Sequence, residues 1–153
     1  MRSTLWCLAL IAIVPGRGIA QDRSATLGAY AGFHTSDDRQ PVVGAALTVP
    51  LGPRFALEPS LGGAIAGSGY VAAAVQIKRL VTAGRITWYF GAGPSWTRRH
   101  SASQFDLSAT VGLQVPGLLL APGILPFAEL AVSTRGYAGL EARGGFRVHL
   151  IRQ

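Results

Sequence analysis

The chain is nearly without cysteine. Among 153 residues only Cys7 is present, inside an N-terminal apolar run, so the rest offers no disulfide, thiol nucleophile or Cys-ligated metal. Charge is scarce too: Asp, Glu, Lys and Arg make up 14% of residues, against about 25% in ordinary soluble domains. No apolar run approaches the roughly 20 residues that a spanning helix needs. There is no His-x-x-x-His pair, acidic cluster or glycine loop opening a helix, so no metal and no cofactor is expected. The arginines are not grouped with interleaved aromatics as a nucleic-acid face requires. The net charge of +7 points instead to acidic lipid headgroups as its counterpart.

What is present begins with a three-part leader: Arg2, the apolar run Leu5 to Val14, then Pro15-Gly16 and the small-x-small site Gly18-Ile19-Ala20. That order predicts a cleavable signal peptide over 1–20 and a single domain over 21–153 starting at Gln21. Cys7 precedes most of the apolar run, unlike a lipoprotein cysteine. An exported chain meets no nucleic acid.

From Ser24 to Leu150, apolar residues alternate with small or polar ones in eight segments, near 24–34, 42–51, 54–65, 70–79, 85–97, 104–115, 124–134 and 137–150. Successive strand side chains point to opposite faces. In the sixth segment Phe105, Leu107, Ala109, Val111 and Leu113 oppose Gln104, Asp106, Ser108, Thr110 and Gly112. Over all eight, the apolar set contains one ionisable residue, Arg79, read at a strand end. The other set contains Glu58, Lys78, Arg85, Asp106, Glu129, Glu141, Arg143 and Arg147.

An Arg or Lys facing lipid near the midplane of a barrel costs about 2 to 4 kcal/mol, so the apolar set should face lipid and the charged set a lumen. Roughly eleven residues at about 3.3 Å each, tilted near 45°, span about 25 Å, the height of such an apolar band. The expected fold class is all-β: an eight-stranded antiparallel up-and-down transmembrane β-barrel in a bacterial outer membrane, behind the signal peptide.

The breaks also alternate. His34 to Gln40 and Arg98 to Ser103 are charged or polar and read as outer loops, while Leu51-Gly52-Pro53 and Thr82-Ala83-Gly84 read as short periplasmic turns. Pro59, Pro94 and Pro126 fall within strands, where each removes a ladder donor; bulges or shifted strand ends are expected there. The turn from Val115 to Gly123 carries Leu118-Leu119-Leu120, and is expected to extend strand six or dip into the interface.

Charges enclosed in a lumen must pair or be hydrated. The eight lumen-facing charges are therefore expected to form a salt-bridge network filled in by Tyr30, Tyr89 and Tyr137, with the lumenal glycines giving Arg143 and the tyrosines room. An eight-stranded barrel is just wide enough to be filled by side chains or to hold one small ligand, which argues against an open channel. Trp88 and Trp96 share the lipid face and suit the two headgroup belts. Arg98 to Ser103 carries a histidine beside serines, but adjacent residues in a loop seldom hold triad geometry, and no catalytic residue is expected. His34 and His149 fall at opposite barrel ends and cannot share a metal.

Leu27-Gly28-Ala29-Tyr30-Ala31-Gly32-Phe33, Trp88-Tyr89-Phe90-Gly91-Ala92-Gly93-Pro94, Leu125-Pro126-Phe127-Ala128-Glu129-Leu130 and the alternating last strand resemble the small eight-stranded outer-membrane barrels of the outer-membrane protein A and X type. The resemblance implies an integral outer-membrane protein with a structural or surface-interaction role and no enzymatic activity. Its partners would be outer-membrane lipids and lipopolysaccharide, with barrel-assembly machinery during insertion. Two alternatives stand beside it. Lipid A deacylase barrels are also small and exported, but their His-x-Ser-Asn pattern is not reproduced by His100-Ser101-Ala102-Ser103. A soluble, lipocalin-like ligand binder would need the opposite parity, apolar inside and charged outside.

Overall fold

The computed structural model describes residues 24–35, 40–66, 69–115, 123–133 and 139–150. The predicted signal peptide, Tyr137 and most of the 34–40 and 115–123 breaks lie outside the described residues. Eight strands follow in order: β1 (Thr26–His34), β2 (Gln40–Pro50), β3 (Phe55–Ala64), β4 (Tyr70–Ala83), β5 (Ile86–Arg99), β6 (Ala102–Gln114), β7 (Ile124–Ser133) and β8 (Leu140–His149). Each pairs antiparallel with the next, and β1 returns to β8, closing a barrel with no free edge. Closure satisfies every strand edge within the sheet, which lipid, unlike water, demands.

The alternation read from the sequence becomes an inside and an outside. Glu58, Lys78, Glu129 and Arg147 are buried in the lumen with Tyr30, Tyr70, Tyr89 and Phe127, whereas Phe105 (78% exposed), Leu107 (62%), Phe33 (62%) and Ile77 (57%) stand on the outer wall. Large apolar side chains are exposed on every strand. A soluble monomer rarely shows a contiguous apolar surface of that extent. The lipocalin-like alternative is overturned by this orientation.

Several boundaries differ from the sequence reading. β4 and β5 are 14 residues each and meet at a two-residue turn, Gly84-Arg85, where Gly84 adopts φ 62°. Tight hairpins favour such positive-φ positions because their twist matches that of the strands. Thr82 and Ala83, expected in the turn, thus belong to β4, and Arg85 belongs to the exposed turn instead of the lumen. Arg79 likewise lies well inside β4, opposite Phe55 of β3 and Phe90 of β5 on the outer wall. The expected loop at 98–103 shrinks to His100-Ser101, with His100 at φ 53° and Arg98 and Arg99 paired with Ser103 and Ala102.

The prolines produce gaps, not bulges. Between β2 and β3 the ladder lapses after Ala46↔Ser60 and resumes at Val49↔Leu57 in unchanged register, and between β4 and β5 it lapses between Ala74↔Ser95 and Ile77↔Ala92. Pro59 remains paired with Val75, and Pro94 with Leu107. Each proline thus fails only on the side its nitrogen faces, as expected of a residue lacking one donor. Pro126 sits at the end of the β6–β7 ladder, its carbonyl accepting from Val115 N at 3.1 Å, where a missing donor falls beyond the paired rows.

Candidate functional site

The lumen divides into a charged floor and a cup above it. The floor is built from opposite walls. Lys78 on β4 reaches Glu129 on β7 and Glu58 on β3, each at 2.5 Å, and Arg147 on β8 reaches across to Glu58 at 2.9 Å. Glu129 also pairs with Arg143 and lies 4.0 Å from Arg147. Arg143 in turn meets Glu141 at 3.3 Å. Two of the pairs, Lys78–Glu129 and Arg147–Glu58, therefore cross the bore, and the others join neighbouring strands or lie within β8.

Neutral partners complete the floor. Thr48 Oγ1 donates to Glu58 at 2.8 Å, and Arg147 donates to Gln114 at 3.0 Å. Tyr89, with no exposed surface, lies beneath both cations: Lys78 Nζ is 4.4 Å and the Arg147 guanidinium 5.0 Å from its ring centre. Arg147 also stacks 4.3 Å from Phe127, and Arg143 4.6 Å from Tyr30. Such contacts are stronger once desolvated. Glycine makes the space: a Cβ at Gly112 would fall on the Tyr89 ring, and one at Gly44 on Tyr30. Three carboxylates and three cations balance here, which removes the main objection to burying charge.

Not all the expected charges join. Glu58, Lys78, Glu129, Glu141, Arg143 and Arg147 are linked. Arg85 is excluded by the β4–β5 turn. Asp106 does face the lumen, opposite Ser95, but its Oδ1 is buried without a hydrogen-bond partner and no ion pair links it to the network. The sequence reading missed the neutral members of this core, among them Gln76, whose amide donates to Ser108 and accepts from Thr110, both at 2.9 Å. Their signal is the polar parity of β4 and β6, which places Gln76, Ser108 and Thr110 on the lumenal face without any charge to mark them.

The cup occupies the half of the barrel opposite the described chain ends. It has a volume of about 90 Å³. One wall is small and hydroxylated, with Ser60, Ala72, Ala74, Ser95, Thr97, Ser108 and Ser133; the other carries Tyr30, His34, Tyr70, Glu141 and Arg143. Tyr70 donates to Glu141 at 3.4 Å and meets His34 edge to face at 5.7 Å.

Elsewhere, His149 accepts or donates at 2.5 Å with Ser24 at the opposite end from His34. Trp88 and Trp96 both face outward, Trp88 near the β4–β5 turn and Trp96 towards the other rim. No group of three metal-ligating side chains occurs among the described residues.

No protein-family model and no curated protein matches the chain. Solved structures do. A designed transmembrane β-barrel superposes with a TM-score of 0.68 at 13% identity, covering 85% of this chain and 98% of the design. The chain has the fold of the small transmembrane β-barrels. The N-terminal β-barrel domain of Pseudomonas aeruginosa OprF gives a TM-score of 0.66 at 12% identity over 83% of this chain and 97% of that domain. Neisserial surface protein A gives 0.57 at 13% identity over 82% and 96%. At such identities the likeness speaks for the architecture alone, and the barrel's inside-out polarity agrees with it independently.

Proposed function

We propose that this chain is a non-enzymatic integral outer-membrane protein, a structural or surface-interaction barrel whose lumen is plugged by its own charge network. One observation carries the reading: Lys78–Glu129 and Arg147–Glu58 cross the bore between opposite walls while large apolar side chains stand on the outer wall of every strand. Buried pairs of this kind contribute little net stability against an apolar filling, but they close a bore that a wall-hugging arrangement would leave open. In this reading the basic residues Arg98, Arg99 and His100 at the outer rim meet lipopolysaccharide phosphates. Trp88 and Trp96 settle at the headgroups, the signal peptide is removed after Ala20, and the barrel-assembly machinery inserts the chain.

The test is fractionation combined with electrophoresis of heated and unheated samples. The folded barrel should remain in the membrane fraction and migrate differently until boiled, and the mature protein should begin at Gln21. A soluble protein with one invariant band would defeat the proposal. Lipid A from deletion and overexpression strains should give identical mass spectra; a difference would revive the enzymatic alternative.

A further inference from the structure

We propose that the cup above the charged floor is a binding site for a neutral polyhydroxylated ligand of about one sugar ring. The site lies above the floor, and the proposal holds whether or not the floor is impermeable.

The first argument is unmet hydrogen bonding. Ser95 is 9% exposed, lines the cup, and its Oγ has no partner; the Oγ of Ser133, also in the lining, is in the same condition. Buried hydroxyls in native structures are almost always satisfied by protein, water or ligand. Between them Ser108 is engaged, donating to the Gly93 carbonyl at 3.3 Å and accepting from Gln76. The wall therefore carries a fixed polar centre flanked by two hydroxyls that can each donate and accept, the pairing a ligand hydroxyl requires.

The second argument is charge. Glu141 and Arg143 are the ionised residues of the lining, and they pair with each other at 3.3 Å while Arg143 is held by Glu129 beneath. Among the lining residues a charged ligand would meet no uncompensated counter-charge, and it would leave its hydration behind. A neutral one can accept from Arg143 and donate to Glu141 without disturbing the pair.

The third is shape. About 90 Å³ corresponds to roughly six water positions at about 15 Å³ each, which a compound with several closely spaced hydroxyls can replace bond for bond. Opposite the serines, Tyr30, Tyr70 and His34 offer rings for the C–H face of such a molecule.

The experiment is a methyl NMR titration of the whole barrel in lipid nanodiscs, with the alanine methyls labelled. The probes are glucose and glycerol, with inorganic phosphate and ethylammonium as charged controls. The proposal expects saturable millimolar shifts with glucose at Ala72, Ala74 and Ala131, and none at the outward-facing Ala45, Ala92 and Ala109. Filling the cup with Ala74→Leu should weaken binding by at least about tenfold, and Ser95→Ala by about three- to tenfold. Heat-shifted electrophoresis checks that each variant folds; if Ala74→Leu does not, Ser95→Ala decides. The proposal is overturned by an absence of saturable shifts with either polyol, by phosphate or ethylammonium binding as well as glucose, or by folded variants that bind as the parent does.

Discussion

Replacing Glu129 with leucine removes the hub of the floor. Its carboxylate faces Lys78 at 2.5 Å, Arg143, and Arg147 at 4.0 Å, so the variant leaves three buried cations facing only Glu58 and Glu141. Removing one partner of a buried ion pair typically costs about 3 to 5 kcal/mol, and the upper half of that range applies where three cations lose a shared acceptor. Lys78→Met is milder, about 3 kcal/mol, because Glu58 keeps Arg147 and Glu129 keeps Arg143. The double variant restores balance, with Glu58 on Arg147 and Glu141 on Arg143. Its cost should fall short of the sum of the two by about 2 to 3 kcal/mol. Denaturant unfolding from lipid vesicles, read by the fluorescence of the outward-facing Trp88 and Trp96 as they leave lipid, measures all three. Additivity within about 0.5 kcal/mol would refute the idea that the floor acts as one balanced cluster.

Leu107→Arg should lower membrane insertion by about 2 to 4 kcal/mol, since Leu107 is 62% exposed on the outer wall, whereas Ser108→Arg, directed into the cup, should insert; comparing their heat-shifted bands is sufficient. Thr110→Arg should fail where Ser108→Arg succeeds, because Thr110 is 6% exposed and bonded to Gln76, and equal yields would contradict the division of the lumen. Gly112→Ala should destabilise by about 1 to 3 kcal/mol through its overlap with the Tyr89 ring, measurable in the same vesicle assay.

The strands were legible because the bilayer imposes a period of two on residues such as those of β6, and the same parity sorted Glu58, Lys78, Glu129 and Arg147 to the inside. Turns were less legible. His100 takes a positive φ with no glycine to announce it, so a two-residue turn looked like a loop; at Gly84 the glycine was seen, but its place in the turn was not, and Arg85 went to the wrong compartment. Partner choice within the floor was not legible at all. Whether Lys78 meets Glu129 depends on the stagger between β4 and β7, which accumulates through every intervening register and is written in no single segment. Asp106 shows the same limit, since its parity was read but not its separation from every cation of the network.

The two proline gaps share one row of the barrel. Pro59 pairs with Val75 across β3 and β4, and the lapse at Pro94 falls on the other side of that same strand. The β3–β4 pair, intact at Pro59↔Val75, therefore lies between two weakened seams, β2–β3 and β4–β5, with Gly93 so near the Val75 carbonyl that a Cβ there would overlap it. A wall of uniform stiffness would respond to lateral pressure by deforming evenly; this one has a crease. Changes in bilayer thickness or packing should concentrate their strain along the β2–β3 and β4–β5 seams, so amides facing those two lapses should exchange with solvent deuterium ahead of those in the continuous β5–β6 ladder.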